Sequence, residues 1–293
     1  IVSELKGAEF SVSGVETKET RRNPAAPFTT SKLQQEAARK LGFTAKKTMM
    51  FAQQLYEGVP LGEDGPVGLI SYMRTDSTRL SAEAVTAARA YIAERFGPEY
   101  LPAKPNIYKT KKKTQDAHEA IRPTYIKYDP DAVKSYLSKD QFNLYQLIWN
   151  RFLACQMSQA LIDQTRAEMT AGKCLFAATG SVLKFPGFTA VYIEGSDAAE
   201  EEKDMRLPSL KKGERLGLTE LKPTQHFTQP PPRFTEASLV KELEENGIGR
   251  PSTYAAILST IQDRGYAMKD KGQLKPTELG FVVTDLLIKS FPE

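Results

Sequence analysis

The sequence predicts an α+β protein of more than one domain: a mostly helical block inserted in a β-rich unit, followed by a second helical segment. Three observations predict it. Apolar residues alternate weakly over residues 1–20, recur at helical spacing from about residue 31 to residue 158, and return to a period near two from about Gln164. Proline clusters at Asn23–Pro27 and Gln229–Pro232 interrupt the pattern, because proline donates no hydrogen bond to a strand or helix interior. The 293 residues give room for one large or two ordinary domains at roughly 150 residues each.

Each element has its own signal. Ser31 and Gln34 have capping-box spacing ahead of Leu33, Ala37 and Leu41, and Gly42 ends that helix. A second helix is expected from Thr44 to about Tyr56, stopping before Gly58. Residues 58–66 read as a loop, and residues 68–73 as a short strand or extended run. Ser81 caps a helix carrying Ala84, Val85, Ala88 and Ile92, closed by Gly97 and Pro98. Residues 102–115 form a basic loop with Lys109, Lys111, Lys112 and Lys113, and Asp140 is expected to cap a long apolar helix in which Trp149 packs the core. Residues 165–171, 175–183, 188–193 and 215–221 read as strands, with residues 196–206 an acidic loop. Two helices follow the proline linker, the first capped by Thr235 and the second by Ser252. A hairpin turns near Lys271-Gly272, and another helix starts near Thr277.

Composition narrows the class. Lys plus Arg number 40 and Asp plus Glu 36, a net charge of +4, which permits a polyanionic partner without arguing for one. Hydrophobic residues at 40% and charged residues at 26% exclude a collagen, a disordered tail and a membrane protein. Cys155 and Cys174 form neither a disulfide framework nor a Cys-x-x-Cys zinc pair, so a reducing cytoplasm is the expected setting. His118 and His226 lie far apart, and no metal site is expected within the chain. The start at Ile1 and the stop after an amphipathic run read as an internal fragment of a longer protein.

Three segments carry candidate chemistry. In Ile70–Thr78, extended backbone places Tyr72 and Arg74 on one face. A phenol beside a guanidinium suits phosphoryl transfer to tyrosine, since the cation favours the phenolate and grips a phosphate through paired donors. The plainer alternative is a half-buried packing tyrosine, one of 12 in the chain. In Asp116–Pro123, His118 sits between carboxylates that favour a cationic imidazole able to hold a phosphate. A structural network of His, acid and Arg is the alternative there. In residues 233–276, helix, glycine turn, helix and hairpin follow the order of a winged helix-turn-helix. The second helix opens with Arg250, Ser252 and Thr253, whose free N–H groups suit a phosphate, and a plain helical hairpin is the commoner alternative.

Taken together, GLISYMRTDSTRLS (68–81), DAHEAIRPT (116–124) and RFTEASLVKELEENGIGRPSTYAAILSTIQDRGY (233–266) resemble the type IA DNA topoisomerases. FAQQLYEG (51–58) and LYQLIWNRFLACQM (144–157) extend the likeness over nearly the whole chain. Within the family the chain looks most like bacterial DNA topoisomerase I, since topoisomerase III usually has proline where Met73 stands.

The resemblance implies that Tyr72 is the nucleophile, Arg74 orients the scissile phosphate and His118 supports binding and cleavage. It further implies that Gln54, Glu57, Thr75, Asp76, Arg250, Ser252, Thr253 and Arg264 lie along the DNA path. The implied partners are single-stranded and negatively supercoiled DNA, handled without ATP by a monomer in the bacterial cytoplasm, associated with the nucleoid. The implied domains are a β-rich gate or hinge (1–24 and 159–224), a helical domain with the catalytic tyrosine (25–158) and an incomplete helical DNA-binding domain (225–293). The family's Toprim domain, which binds magnesium through acidic residues, and its C-terminal zinc ribbons have no counterpart in the sequence. Asp129-Pro130-Asp131 has an Asp-x-Asp spacing but reads as a turn. Magnesium is therefore expected outside this chain and the fragment alone is expected to be inactive. The proline-punctuated residues 20–27 and 222–232 are the expected hinges. A non-catalytic winged-helix binder would account for residues 233–290 and leave residues 68–81 unexplained.

Overall fold

A computed structural model describes residues 2–108, 118–196 and 206–291. In chain order the named elements are α1 (Val2–Leu5), β1 (Phe10–Arg22), α2 (Thr30–Leu41), α3 (Ala45–Glu57), β2 (Val59–Pro60), β3 (Pro66–Val67), α4 (Ala82–Phe96), α5 (Pro130–Val133), α6 (Lys139–Cys155), β4 (Ala160–Ala171), β5 (Cys174–Phe185), β6 (Arg215–Leu216), α7 (Glu236–Glu245), α8 (Tyr254–Asp263), β7 (Ala267–Asp270), β8 (Gln273–Pro276) and α9 (Glu278–Ser290). No helix among the described residues is long and apolar enough to cross a membrane.

The chain divides into two compact units. One comprises Ile1–Asn23, Gln159–Ala190 and Ala199–Pro231, and the other Pro24–Ser158, Val191–Ala198 and Pro232–Glu293. The first is a four-stranded antiparallel sheet in the order β5-β4-β1-β6. β1 runs against β4 from Phe10 opposite Ala171 to Arg22 opposite Ala160, with a bulge between Val12 and Gly14. A small apolar cluster of Leu5, Phe10 and Ala171, flanked by Phe176 and Leu216, closes one end of the sheet. From Val15 onward β1 is exposed. There it is held by cross-strand side-chain pairs such as Thr17 to Thr165 at 3.0 Å and Lys184 to Glu19 at 2.9 Å.

The second unit is helical. Thr29 accepts the Lys32 N–H at the start of α2, and Gly42 ends that helix in the left-handed region at φ 65°. Thr44 caps α3 and Ser81 caps α4. A full capping box of Ser138 and Gln141 opens α6. α2, α3, α4 and α6 bury Leu33, Ala37, Ala52, Leu55, Ala88, Ile92, Leu144, Ile148 and Trp149. Thr235 caps α7, Lys271 (φ 48°) and Gly272 (φ 83°) turn β7 into β8, and Thr277 caps α9. Helix, turn, helix and wing thus appear in the expected order.

Several boundaries differ from expectation, each for a local reason. Thr29, not Ser31, starts α2, and Ser138, not Asp140, starts α6, because the capping hydroxyl must precede the first helical residue. Residues 58–66 contain paired backbone, Val59–Pro60 against Pro66–Val67, around a tight turn. In place of a strand at 188–193, Gly187–Ala190 forms a 3₁₀ turn, with Thr189 N–H and Oγ1 both donating to Pro186 O. The strand expected at 215–221 is confined to Arg215–Leu216, and a helical turn at Val2–Leu5 precedes β1. Asp129 caps α5 by accepting the Ala132 N–H at 2.8 Å, with Pro130 as its first helical residue, so the Asp-Pro-Asp spacing marks a helix start rather than a turn. The Lys109–Lys113 run and the acidic residues 197–205 lie outside the described residues.

Candidate active site

The segment bearing Tyr72 belongs to no sheet and bends at Ser71, Met73 and Arg74. Ile70 makes a single bridge with Pro123, Ser71 N–H donates to Arg122 O, and Ser71 Oγ donates to Ala120 O at 2.7 Å. Leu69 N–H donates to Leu55 O at 2.7 Å, which ties the segment to the end of α3. Gly68 makes this approach possible. A Cβ there would lie 2.6 Å from Tyr56 O, a backbone atom that cannot move aside. Beyond Tyr72, the buried Thr30 hydroxyl lies 2.7 Å from Met73 O and 3.0 Å from Thr75 O, and accepts the Thr75 N–H at 2.9 Å.

Burial alternates along the segment. Met73, Thr75 and Ser77 are buried, while Tyr72, Arg74 and Asp76 are exposed. Tyr72, 36% exposed, opens into a cavity of about 440 Å³ with Arg74, Thr75, Asp76 and His118. Arg250, Pro251 and Ser252, from the turn before α8, complete the lining. His118 lies against Tyr72, ring centroids 5.1 Å apart, and Tyr56 meets Tyr72 edge-on at 5.5 Å. Burial pushes the phenols of Tyr91, Tyr108, Tyr145, Tyr192 and Tyr254 upward, which keeps them protonated.

The charges facing the cavity suit an anion. Among the described residues no ion pair engages Arg74. Arg250 donates from Nη1 to Gly249 O at 2.7 Å, and its backbone N–H donates to Thr253 Oγ1 at 2.8 Å, which shapes the turn that presents Ser252. Thr253, not Ser252, stands at the cap position of α8, and it makes no side-chain cap bond there. A second cavity, of about 810 Å³, shares Asp76, Arg250 and Pro251 with the first and continues past Lys32, Arg151 and Tyr254.

The residues expected from the sequence divide in two. Tyr72, Arg74, Thr75, Asp76, His118, Arg250 and Ser252 meet at one cavity. Gln54, Glu57, Thr253 and Arg264 are not among its lining. Gln54 accepts from Gln141 at 2.9 Å, Glu57 bonds Gln53, and Arg264 ends α8. In the Asp116–Pro123 cluster, Glu119 pairs with Arg122 at 2.7 Å while His118 turns to Tyr72. Of the two carboxylates beside His118, Glu119 is thus engaged by Arg122, and Asp116 lies outside the described residues. Tyr56 and Pro251 were not singled out in sequence, because an aromatic at a helix end and a proline at a helix start read as ordinary packing and capping.

No group of three or more His, Cys, Asp or Glu side chains among the described residues is placed to hold a metal ion. The described residues therefore do not fit a magnesium site of their own.

A family model described as DNA topoisomerase matches residues 1–293. This chain belongs to the type IA DNA topoisomerase family. Full-length topoisomerase I from Thermotoga maritima, in a monoclinic crystal form, is similar with a TM-score of 0.83 and 41% sequence identity, over 98% of this chain and 46% of that one. The chain thus spans less than half the length of that topoisomerase. The mixed helix-and-strand architecture is the family's, and DNA topoisomerases are isomerases.

Proposed function

We propose that this chain carries the tyrosine half of a topoisomerase active site that cuts and reseals one DNA strand. The observation that supports it is the convergence of Tyr72, Arg74, His118 and Arg250 on one cavity. The Tyr72 oxygen attacks the phosphorus of a phosphodiester in a single strand. A bond from the phenolic oxygen to phosphorus forms as the bond to the 3′ oxygen breaks. The phenolic proton is lost and the departing oxygen gains one, leaving a 3′ hydroxyl and a 5′-phosphotyrosyl ester. Attack by that hydroxyl reverses the step and restores the strand. The number of phosphate ester bonds is conserved, so no nucleotide triphosphate is consumed.

Arg74 grips the non-bridging oxygens and offsets the charge that grows on them, an electrostatic role that needs its guanidinium unpaired before DNA arrives. His118 orients the phenol by ring contact and offers a ring N–H to the scissile phosphate. Arg250 and Ser252 hold a neighbouring phosphate at the opening turn of α8, where free N–H groups and the helix dipole favour an anion.

Passage of another strand through the gap relaxes negatively supercoiled DNA. The magnesium that the resemblance implies belongs on an acidic Toprim domain outside these 293 residues. The chain by itself is then expected to bind single strands without relaxing DNA. We read the working enzyme as a monomer associated with the bacterial nucleoid. The winged helix of α7, α8, β7 and β8 serves here as the DNA-holding part of the same site.

In the enzyme that combines this chain with its acidic domain, Tyr72→Phe removes relaxation and leaves single-strand affinity unchanged. Arg74→Ala lowers cleavage by about 10²–10³-fold, the usual loss when one transition-state donor is removed. Relaxation surviving in Tyr72→Phe overturns the proposal.

A further inference from the structure

Arg250 is distant in sequence from Tyr72, and something must hold its turn at the cavity. Helix α7, immediately before that turn, carries Glu236, Val240 and Glu244 at four-residue spacing, hence on one face. Each makes a contact with α2 or α3. Glu236, 4% exposed, accepts the Ala45 N–H at 2.9 Å at the first residue of α3, and its other oxygen accepts from Lys269 Nζ at 3.0 Å. Glu244 accepts from Ser31 Oγ at 2.6 Å in the first turn of α2. Val240 lies between them in a buried cluster with Ala45, Tyr254 and Leu258.

This arrangement has a physical logic. The first N–H groups of a helix lack partners within it and form the positive end of its dipole. Two carboxylates from one helix therefore meet the positive ends of two others, with an apolar contact between. The contact with α2 is one residue from Thr30, whose hydroxyl bonds Met73 and Thr75 on either side of Arg74. A short chain of contacts thus joins α7 to the backbone that displays Tyr72 and Arg74.

We propose that Glu236 and Glu244 are positioning residues: they seat α7 on the N-termini of α2 and α3 and so hold the Arg250 turn over Tyr72. The inference rests on reading the Tyr72 cavity as a phosphate site, and its test separates the two. Spin labels at Glu83→Cys on α4 and Asp263→Cys at the end of α8, both exposed, in a Cys174→Ser background, report the seat directly. A fluorescent single-stranded oligonucleotide reports binding to the 293-residue chain.

The Glu236→Ala/Glu244→Ala variant is expected to lengthen and broaden the label distance and to weaken oligonucleotide binding about tenfold, the scale of one lost phosphate contact. In an Arg250→Ala background the same pair is expected to cost little further affinity, because the residue they position is gone. Gln at both positions, which keeps the acceptor oxygens, is expected to restore most of the distance. Should the alanine pair fail to fold, Ser31→Ala removes the donor to Glu244 from the α2 side, and its label distance decides. An unchanged distance overturns the inference. So does an equal loss of affinity with and without Arg250. If Arg250→Ala alone leaves binding intact, the phosphate reading fails, and the label distance still decides whether the two carboxylates seat α7.

Discussion

The imidazole of His118 lies against the phenol ring of Tyr72, with centroids 5.1 Å apart and planes inclined by 33°. Tyr56 meets the same ring at 5.5 Å and 69°, so Tyr72 is flanked by two rings while it faces the cavity. Packing of this kind limits where the phenolic oxygen can point without removing it from solvent.

Two substitutions separate ring contact from polar contact at His118. His118→Phe keeps an aromatic face and loses the ring N–H, whereas His118→Ala loses both. Both variants are expected to cleave about 10²-fold more slowly in single turnover, because a donor to the developing phosphate charge is absent. Only the alanine variant is expected to disturb the Tyr72 ring, read by its NMR signals. Normal cleavage by His118→Phe would show that stacking is the whole of the histidine's role.

At Gly68 the constraint is steric. A Cβ would sit 2.6 Å from Tyr56 O, so Gly68→Ala must push the Tyr72 segment away from α3. The expected cost is about 1–3 kcal/mol, typical of forced overpacking. Urea unfolding measures it, and unchanged stability would mean that the segment is not held as tightly as Leu69 N–H to Leu55 O implies.

Much of this organisation was legible in the sequence, and the limits have physical causes. Gly42, Thr44, Ser81, Thr235 and Thr277 each mark a helix boundary, because a helix end needs a specific partner or a left-handed residue there. Tyr72 and Arg74 are exposed together and alternate with the buried Met73 and Thr75, as their spacing suggests, although the backbone bends at Ser71, Met73 and Arg74 instead of running extended. At the starts of α2 and α6 the sequence pattern points to Ser31 and Asp140, two residues past the actual caps Thr29 and Ser138. The cap position depends on which residue's backbone leaves the helix. The meeting of Arg250 with Tyr72 is tertiary, set by α7 docking on α2 and α3, and no local spacing announces it. The role of His118 was ambiguous for a similar reason. Only the fold shows that Glu119 is engaged by Arg122 and that His118 faces the phenol.

Segment 191–195 supplies a pH-dependent test. Arg151, 3% exposed at its side chain, donates to Glu194 at 2.9 Å and to Ala26 O at 2.6 Å. Burial alone would raise the Glu194 carboxyl, but the Arg151 charge and hydrogen bond, aided by Lys32 and Arg39, hold it below its ordinary 4.5. A carboxyl lowered in the folded state contributes stability that is full above 4.5 and is lost as pH falls through the lowered value. Glu194→Gln is therefore expected to destabilise the protein at neutral pH, by no more than about 1 kcal/mol because the carboxylate is half exposed. The gap should shrink as the pH falls below 4.5. Urea unfolding at neutral pH and in acid checks the sign, and a gap that widens in acid would contradict it.

The central claim concerns one oxygen atom. A single-stranded oligonucleotide is cleaved by the enzyme that joins this chain to its acidic domain, the reaction is stopped with denaturant, and the protein is digested and mapped by mass spectrometry. The account predicts one modified peptide, carrying a 5′-phosphorylated DNA end on Tyr72. An adduct on any other residue, or the same yield of adduct from Tyr72→Phe, would contradict it.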